Sequence, residues 1–316
     1  EPEPPWTTAV SLVWGAGVAA LSASVLNTAA LTDMARASGD VDAAMRTVAV
    51  VVAPLAGGTL SGLGVPLVGI WRRTSINSVI DGVVHGAWCG AGFAFVENVQ
   101  YFLQAGDGGG ASVGVTFVMR GLLSPFVHPL ATSLTGAALA WSVVSVRSRS
   151  AWLVWGPTGW IGAVAFHGLW NLLAATARGG AWLGAYVLVE MPIFLAWITV
   201  LVIASTREGT RIARGLTPYV RTGWVLPAEV SMVSTRGGRR AARAWAGGGG
   251  RGAARAMKRF QVATATLGLD QLVMARTGAQ PDRLARDRAL VASLAPLRET
   301  FLRANRPGRD PEETRR

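Results

Sequence analysis

Six stretches of this 316-residue chain run for at least 25 residues with almost no charge. Windows 4–32 and 47–71 carry none; 82–106 holds only Glu97 and His85, 121–146 only His128, 151–177 only His167, and 179–206 only Glu190. Each exceeds the ~20 residues that a helix needs to cross a hydrocarbon core. None shows the strict alternation of a membrane barrel strand. The expected fold is all-α: a polytopic transmembrane helical bundle of about six spans with a basic helical tail.

Charge divides the chain in the same way. Residues 1–206 carry 8 Arg against 9 acids, net −1; residues 207–316 carry 22 Lys and Arg against 9 acids, net +13. This predicts a transmembrane domain over 1–206 and a cytoplasmic helical tail over 207–316. Arg72 and Arg73 follow the second window, Arg147 and Arg149 the fourth, and the Arg-rich tail the sixth. The other connections carry Arg36 and Arg46 offset by Asp33, Asp40 and Asp42, then Asp107, then Arg178. The positive-inside rule puts the tail in the cytoplasm. No nucleic-acid motif accompanies the arginines, so the partner expected for the basic tail is anionic lipid, not nucleic acid. The single cysteine, Cys89, lies in a span, which excludes a disulfide framework. A single Lys (Lys258) among 30 basic residues, with high Ala and Gly, suggests a GC-rich bacterial genome.

Within the tail, PDRLARDRALVASLAPLRETFLRANR places Leu284, Val291, Leu294, Leu297 and Phe301 at helical spacing, and a second helix is expected from Arg251. Gly247 to Gly250 read as a break, and the two helices are expected to pack together.

The polar residues inside the windows are the chemical signal. A carboxylate in mid-span costs about 2.5–3.5 kcal/mol to insert, so Glu97 among Phe93, Ala94, Phe95 and Val96 needs a reason. Spans alternate in direction. Glu97 lies about three residues past the middle of its window, His128 five or six before, His167 about three past, and Glu190 two or three before; at ~1.5 Å per residue all four share one layer on the outer side. His128 with Thr132, His167 with Asn171, and Phe93 with Glu97 are i, i+4 pairs, each on one helix face. A Glu with two His is a zinc set of the kind that activates water for hydrolysis. Without metal, the same groups can position a water and stabilise an oxyanion. Either His alone can also serve as an interhelical hydrogen bond. His85, twelve residues before Glu97, falls outside the layer, and Arg120 reads as a snorkelling end residue or a structural ion-pair partner.

At these residues the chain resembles the PrsW family of intramembrane proteases, part of a wider group that includes the CAAX-prenyl endopeptidases. DGVVHGAWCGAGFAFVENVQYF (81–102), RGLLSPFVHPLATSLTG (120–136) and HGLWN (167–171) carry the resemblance. Phe93 and Glu97 meet the family's FxxxE motif; His128, and His167 with Asn171, meet its later histidine motifs. EPEPPW and GWVLPAEVSMV (223–233) look like actinobacterial members, in which further spans precede EPEPPW, so the sequence is expected to begin partway through a longer protein. The family's EExxK motif is degenerate: in APLAGGTLSGLGV (53–65) its glutamates fall on Gly57 and Gly58 and its lysine on Ser61.

The resemblance implies an intramembrane endopeptidase in the bacterial inner membrane that cuts membrane-anchored, anti-sigma-factor-like proteins, with zinc as a candidate cofactor. Its catalytic set would be Glu97, His128, His167 and Asn171: Glu97 as base or ligand, the histidines as metal ligands or oxyanion stabilisers, and Asn171 as amide donor. The missing EExxK leaves two alternatives. One is a pseudoenzyme that binds membrane partners without cutting; the other is a transporter or proton relay using Glu97 and Glu190. Glu190 could also act as a replacement carboxylate.

Overall fold

The computed structural model describes residues 5–71, 76–148, 150–176 and 180–306. Among these residues it is helical, without strands. Contacts divide it into two compact units, Pro2–Leu201 and Val202–Arg316.

In the first unit, α1 (Pro5–Val13) passes through a π-helical segment (Trp14–Ala19) into α2 (Ala20–Ser38). Gly39 closes α2 with φ +68°, and Asp40 opens α3 (Val41–Thr47) by accepting from the Ala43 N–H at 2.9 Å. A second π segment (Val48–Val52) joins α3 to α4 (Ala53–Trp71). The next helix, α5 (Val79–Asp107), starts from a capping box between Ser78 and Asp81. Beyond it come α6 (Gly110–Thr116), a π segment (Phe117–Leu123), α7 (Val127–Ser145) and α8 (Trp152–Thr176). Last are α9 (Gly180–Ala185), a π segment (Tyr186–Glu190) and α10 (Met191–Gly215), whose C-terminal part belongs to the second unit.

Five helices among the described residues are long and apolar enough to cross a membrane: Pro5–Ser38, Val41–Leu67, Val79–Asp107, Gly110–Ser145 and Ala181–Arg221. The window 151–177 forms α8, whose 25 residues span ~37 Å at 1.5 Å each. It is not among those five. Residues 121–145 of the fourth window lie within the single span Gly110–Ser145, which is interrupted by a turn. Pro125 lies in a turn between the Phe117–Leu123 segment and α7, so His128 is the second residue of a helix and not part of a straight span. Arg72, Arg73, Arg149 and Arg178, which carried part of the orientation argument, lie outside the described residues.

Small residues let α5 and α7 approach closely. Gly82, Gly86 and Gly90 recur every four residues on one face of α5. A methyl at Gly82 would stand 2.2 Å from the Gly136 carbonyl oxygen, at Gly86 2.5 Å from that of Thr132, and at Gly90 2.3 Å from that of His128. This is the small-residue packing that substitutes for a hydrophobic drive between helices in lipid. On another face of α5, Gly92 lies against Leu12 and Gly15 against Cys89.

In the second unit, α11 (Thr217–Arg221), α12 (Pro227–Ser234), α13 (Arg236–Gly248), α14 (Gly250–Thr277) and α15 (Pro281–Ala304) share a core built around Phe260, Leu267, Leu269, Leu294 and Phe301. The break between α13 and α14 falls in the Gly run, with Gly250 at φ +91°. Leu284 stays 37% exposed, while its neighbour Arg283 is wholly buried and bound to Asp270 at 2.5 Å. The buried carboxylate on α14 therefore overrides the apolar spacing of α15.

Candidate functional site

Glu97 lies seven residues past Gly90 on α5, close to the same helix face. The tight seam at Gly90 brings the start of α7 against α5, so His128 meets Glu97: its Nε2 lies 2.8 Å from Glu97 Oε2. Arg120, from the π segment that precedes α7, is ion-paired to the same oxygen. Its Nε donates to Asn98 Oδ1 at 2.9 Å, and its guanidinium lies 3.6 Å from the centre of the Tyr101 ring. Glu97, Asn98 and Tyr101 together hold this arginine, which settles the two readings of Arg120 in favour of an ion pair. Among the described residues Glu97 Oε2 takes both contacts and Oε1 takes no hydrogen bond, while the side chain keeps 22% of its surface exposed.

The second imidazole joins this pair. His167 on α8 is buried, and its ring meets that of His128 edge-on, with centroids 4.7 Å apart. The Phe93 ring lies on another side of His128, with centroids 4.8 Å apart. α4 completes the wall. A methyl at Gly57 would stand 3.2 Å from Phe93 Cζ and 3.8 Å from His167 Cε1. One at Gly58 would instead face α8, 2.9 Å from Val164 Cγ2 and 4.0 Å from Trp160 Nε1. Ser61 is buried, donates to the Gly57 carbonyl at 2.5 Å and lies 3.2 Å from Thr132 Oγ1. So Glu97, His128 and His167 come together with Gly57, and Gly58 faces elsewhere.

Asn171 donates one amide N–H to the Ala49 carbonyl at 2.7 Å, tying α8 to the Val48–Val52 π segment. Glu190 is buried, and neither oxygen has a hydrogen-bond partner among the described residues. It lies one turn from Tyr186, whose hydroxyl donates to the Leu123 carbonyl at 3.0 Å, and one turn from Phe194, stacked on Phe126 at 4.8 Å. His85 is apart from the site, with its Nδ1 3.1 Å from Ser11 Oγ.

The donor arrangement bears on the metal expectation. Among the described residues no group of three or more His, Cys, Asp or Glu is placed to hold a metal ion. His128 Nε2 and Glu97 Oε2 face each other at hydrogen-bonding distance, and the Arg120 cation shares that oxygen. The zinc set of Glu97, His128 and His167 does not fit as these side chains stand, because His128 Nε2 and Glu97 Oε2 are turned toward each other and the Arg120 cation occupies the same oxygen.

Spacing within each window revealed Glu97, His128 and His167. It left unmarked the Gly82, Gly86 and Gly90 stripe, although the four-residue period is visible in DGVVHGAWCGAG.

A family model described as PrsW family intramembrane metalloprotease matches residues 3–197. No curated protein matches the chain. No solved structure matches it either.

Proposed function

The chain belongs to the PrsW family of intramembrane metalloproteases, and we propose that it is an intramembrane endopeptidase whose working centre is the pairing of Glu97 with His128 and His167. The observation that carries this reading is the division of labour within one carboxylate. Arg120 and His128 both bind Glu97 Oε2, while Oε1 has no hydrogen bond among the described residues. An anchored carboxylate with one open oxygen can hold a water and accept its proton. His167, beside His128, is placed to donate to the oxyanion that forms on the attacked carbonyl. Glu97 then returns the proton to the leaving amine. Asn171 acts as a positioning residue through its bond to Ala49, which sets the register of the helix that carries His167. Substrates in this reading are membrane-anchored proteins, anti-sigma-factor-like by family resemblance. The protein spans a bacterial inner membrane several times, with its basic tail in the cytoplasm.

The test is cleavage of a model membrane-anchored peptide by the purified protein in nanodiscs, compared with Glu97→Gln. Abolished cleavage in the variant supports the assignment, and an unchanged rate refutes it.

A second reading, a binding protein that no longer cuts, is favoured by a separate observation. The family resemblance puts the first-motif glutamates at Gly57 and Gly58, and neighbours crowd both: a methyl would stand 3.2 Å from Phe93 Cζ at Gly57 and 2.9 Å from Val164 Cγ2 at Gly58. Capture of a membrane peptide that is never cleaved by wild-type protein would favour it.

A further inference from the structure

The second unit carries a trough of about 670 Å³ between α14 and α15 that none of the chemistry above uses. Its α14 bank is Arg255, Lys258 and Arg259, followed by Val262 and Ala263, which is one helix face at i, i+3, i+4, i+7 and i+8. Its α15 bank includes Leu290, Ser293, Leu297 and Thr300. Arg255, Lys258 and Arg259 are exposed, and no ion pair or hydrogen bond engages them among the described residues. The α15 bank carries no charge. The trough is thus cationic along one side and apolar along its floor.

We propose that this trough docks a short acidic amphipathic helix from a partner protein. The shape argues for a helix. The nine residues 255–263 of α14 and the eleven residues 290–300 of α15 rise ~12 and ~15 Å, the length of two to three helical turns. A third helix is the object whose side-chain ridges fill the valley between two packed helices. The floor would take its apolar positions at i, i+3, i+4 and i+7, and its Asp or Glu side chains would meet Arg255, Lys258 and Arg259. A bilayer presents a flat surface to such a trough and leaves the floor empty.

The experiment uses the full chain in phosphatidylcholine nanodiscs. The probe is a fluorescein-labelled 14-residue helical peptide with Leu on one face and Glu on the other. The expected result is saturable binding by anisotropy, weakened by salt. It weakens at least about tenfold with Arg255→Glu, Lys258→Glu and Arg259→Glu together. Thr300→Trp, an exposed change that blocks the trough and leaves its charges in place, also weakens it, and the Lys-for-Glu peptide does not bind. The proposal is overturned if wild-type protein fails to bind the Glu peptide or if the charge-reversed protein binds it equally.

Discussion

His128 Nε2 lies 2.8 Å from Glu97 Oε2, although 31 residues of chain separate them. The contact depends on two helices meeting almost backbone to backbone. It converts an acid that is expensive in mid-span into one end of a polar pair.

That seam can be tested directly. Gly90→Ala puts a methyl 2.3 Å from the His128 carbonyl oxygen, which is backbone and cannot swing aside. Overpacking of this kind costs about 1–3 kcal/mol. The melting temperature in detergent should fall, and cleavage should fall with it. Gly17→Ala, with nothing within 4 Å of the new methyl, is the matched control and should melt like wild type.

Asn171→Ala removes the bond to Ala49 without touching the imidazoles. An interhelical hydrogen bond in lipid contributes about 0.6 kcal/mol, up to 1.7. A modest drop in melting temperature is expected, with reduced cleavage that recovers in Asn171→Gln if the longer amide reaches the same carbonyl. Loss of cleavage with unchanged melting would instead place Asn171 in the chemistry.

Glutamate at positions 57 and 58 should be tolerated unequally. At position 57 the obstacle is the tip of the Phe93 ring, and at position 58 it is the stiff, β-branched Val164. Gly57→Glu should therefore be tolerated, and better still with Phe93→Leu, whereas Gly58→Glu should lower expression and melting temperature. Equal tolerance of both would contradict the packing described.

The tail has a pH signature of its own. Asp287 is pushed up to about 8 by its burial and then by the neighbouring Asp270, whose oxygens already hold Arg283 and Arg286. An acid that holds its proton more tightly when folded loses stability as pH rises from its unfolded value, about 3.9, toward its folded one. Hydrogen-exchange protection over 281–304, taken relative to the intrinsic exchange rate at each pH, should fall across that range and level off above about 8. Asp287→Asn should remove most of this dependence; an unchanged profile would contradict it.

Much of this was legible in the sequence because lipid leaves so few options. Uncharged windows longer than a bilayer is thick must be helices, and polar exceptions at one depth in separate spans point to a shared site. Glu97, His128 and His167 were therefore readable from spacing alone. What could not be read depends on contacts between segments. Pro125 marks a break, but only packing shows that the break delivers His128 at the start of a helix. Arg120 looks like an end residue until Asn98 and Tyr101 are seen around it. Asn171 and His167 share a helix face, yet the amide reaches Ala49. The burial of Arg283 in place of Leu284 likewise follows from Asp270 on the facing helix, which no periodicity within α15 encodes.

The central claim is that Glu97, anchored through one oxygen, activates water with the other. The most direct measurement is single-turnover cleavage of a membrane-anchored peptide by wild-type protein and by Glu97→Gln in the same nanodiscs, with melting temperatures recorded for both. The account predicts a folded variant whose cleavage is slower by about 10²–10⁴-fold. A folded Glu97→Gln protein that cleaves at the wild-type rate would contradict it.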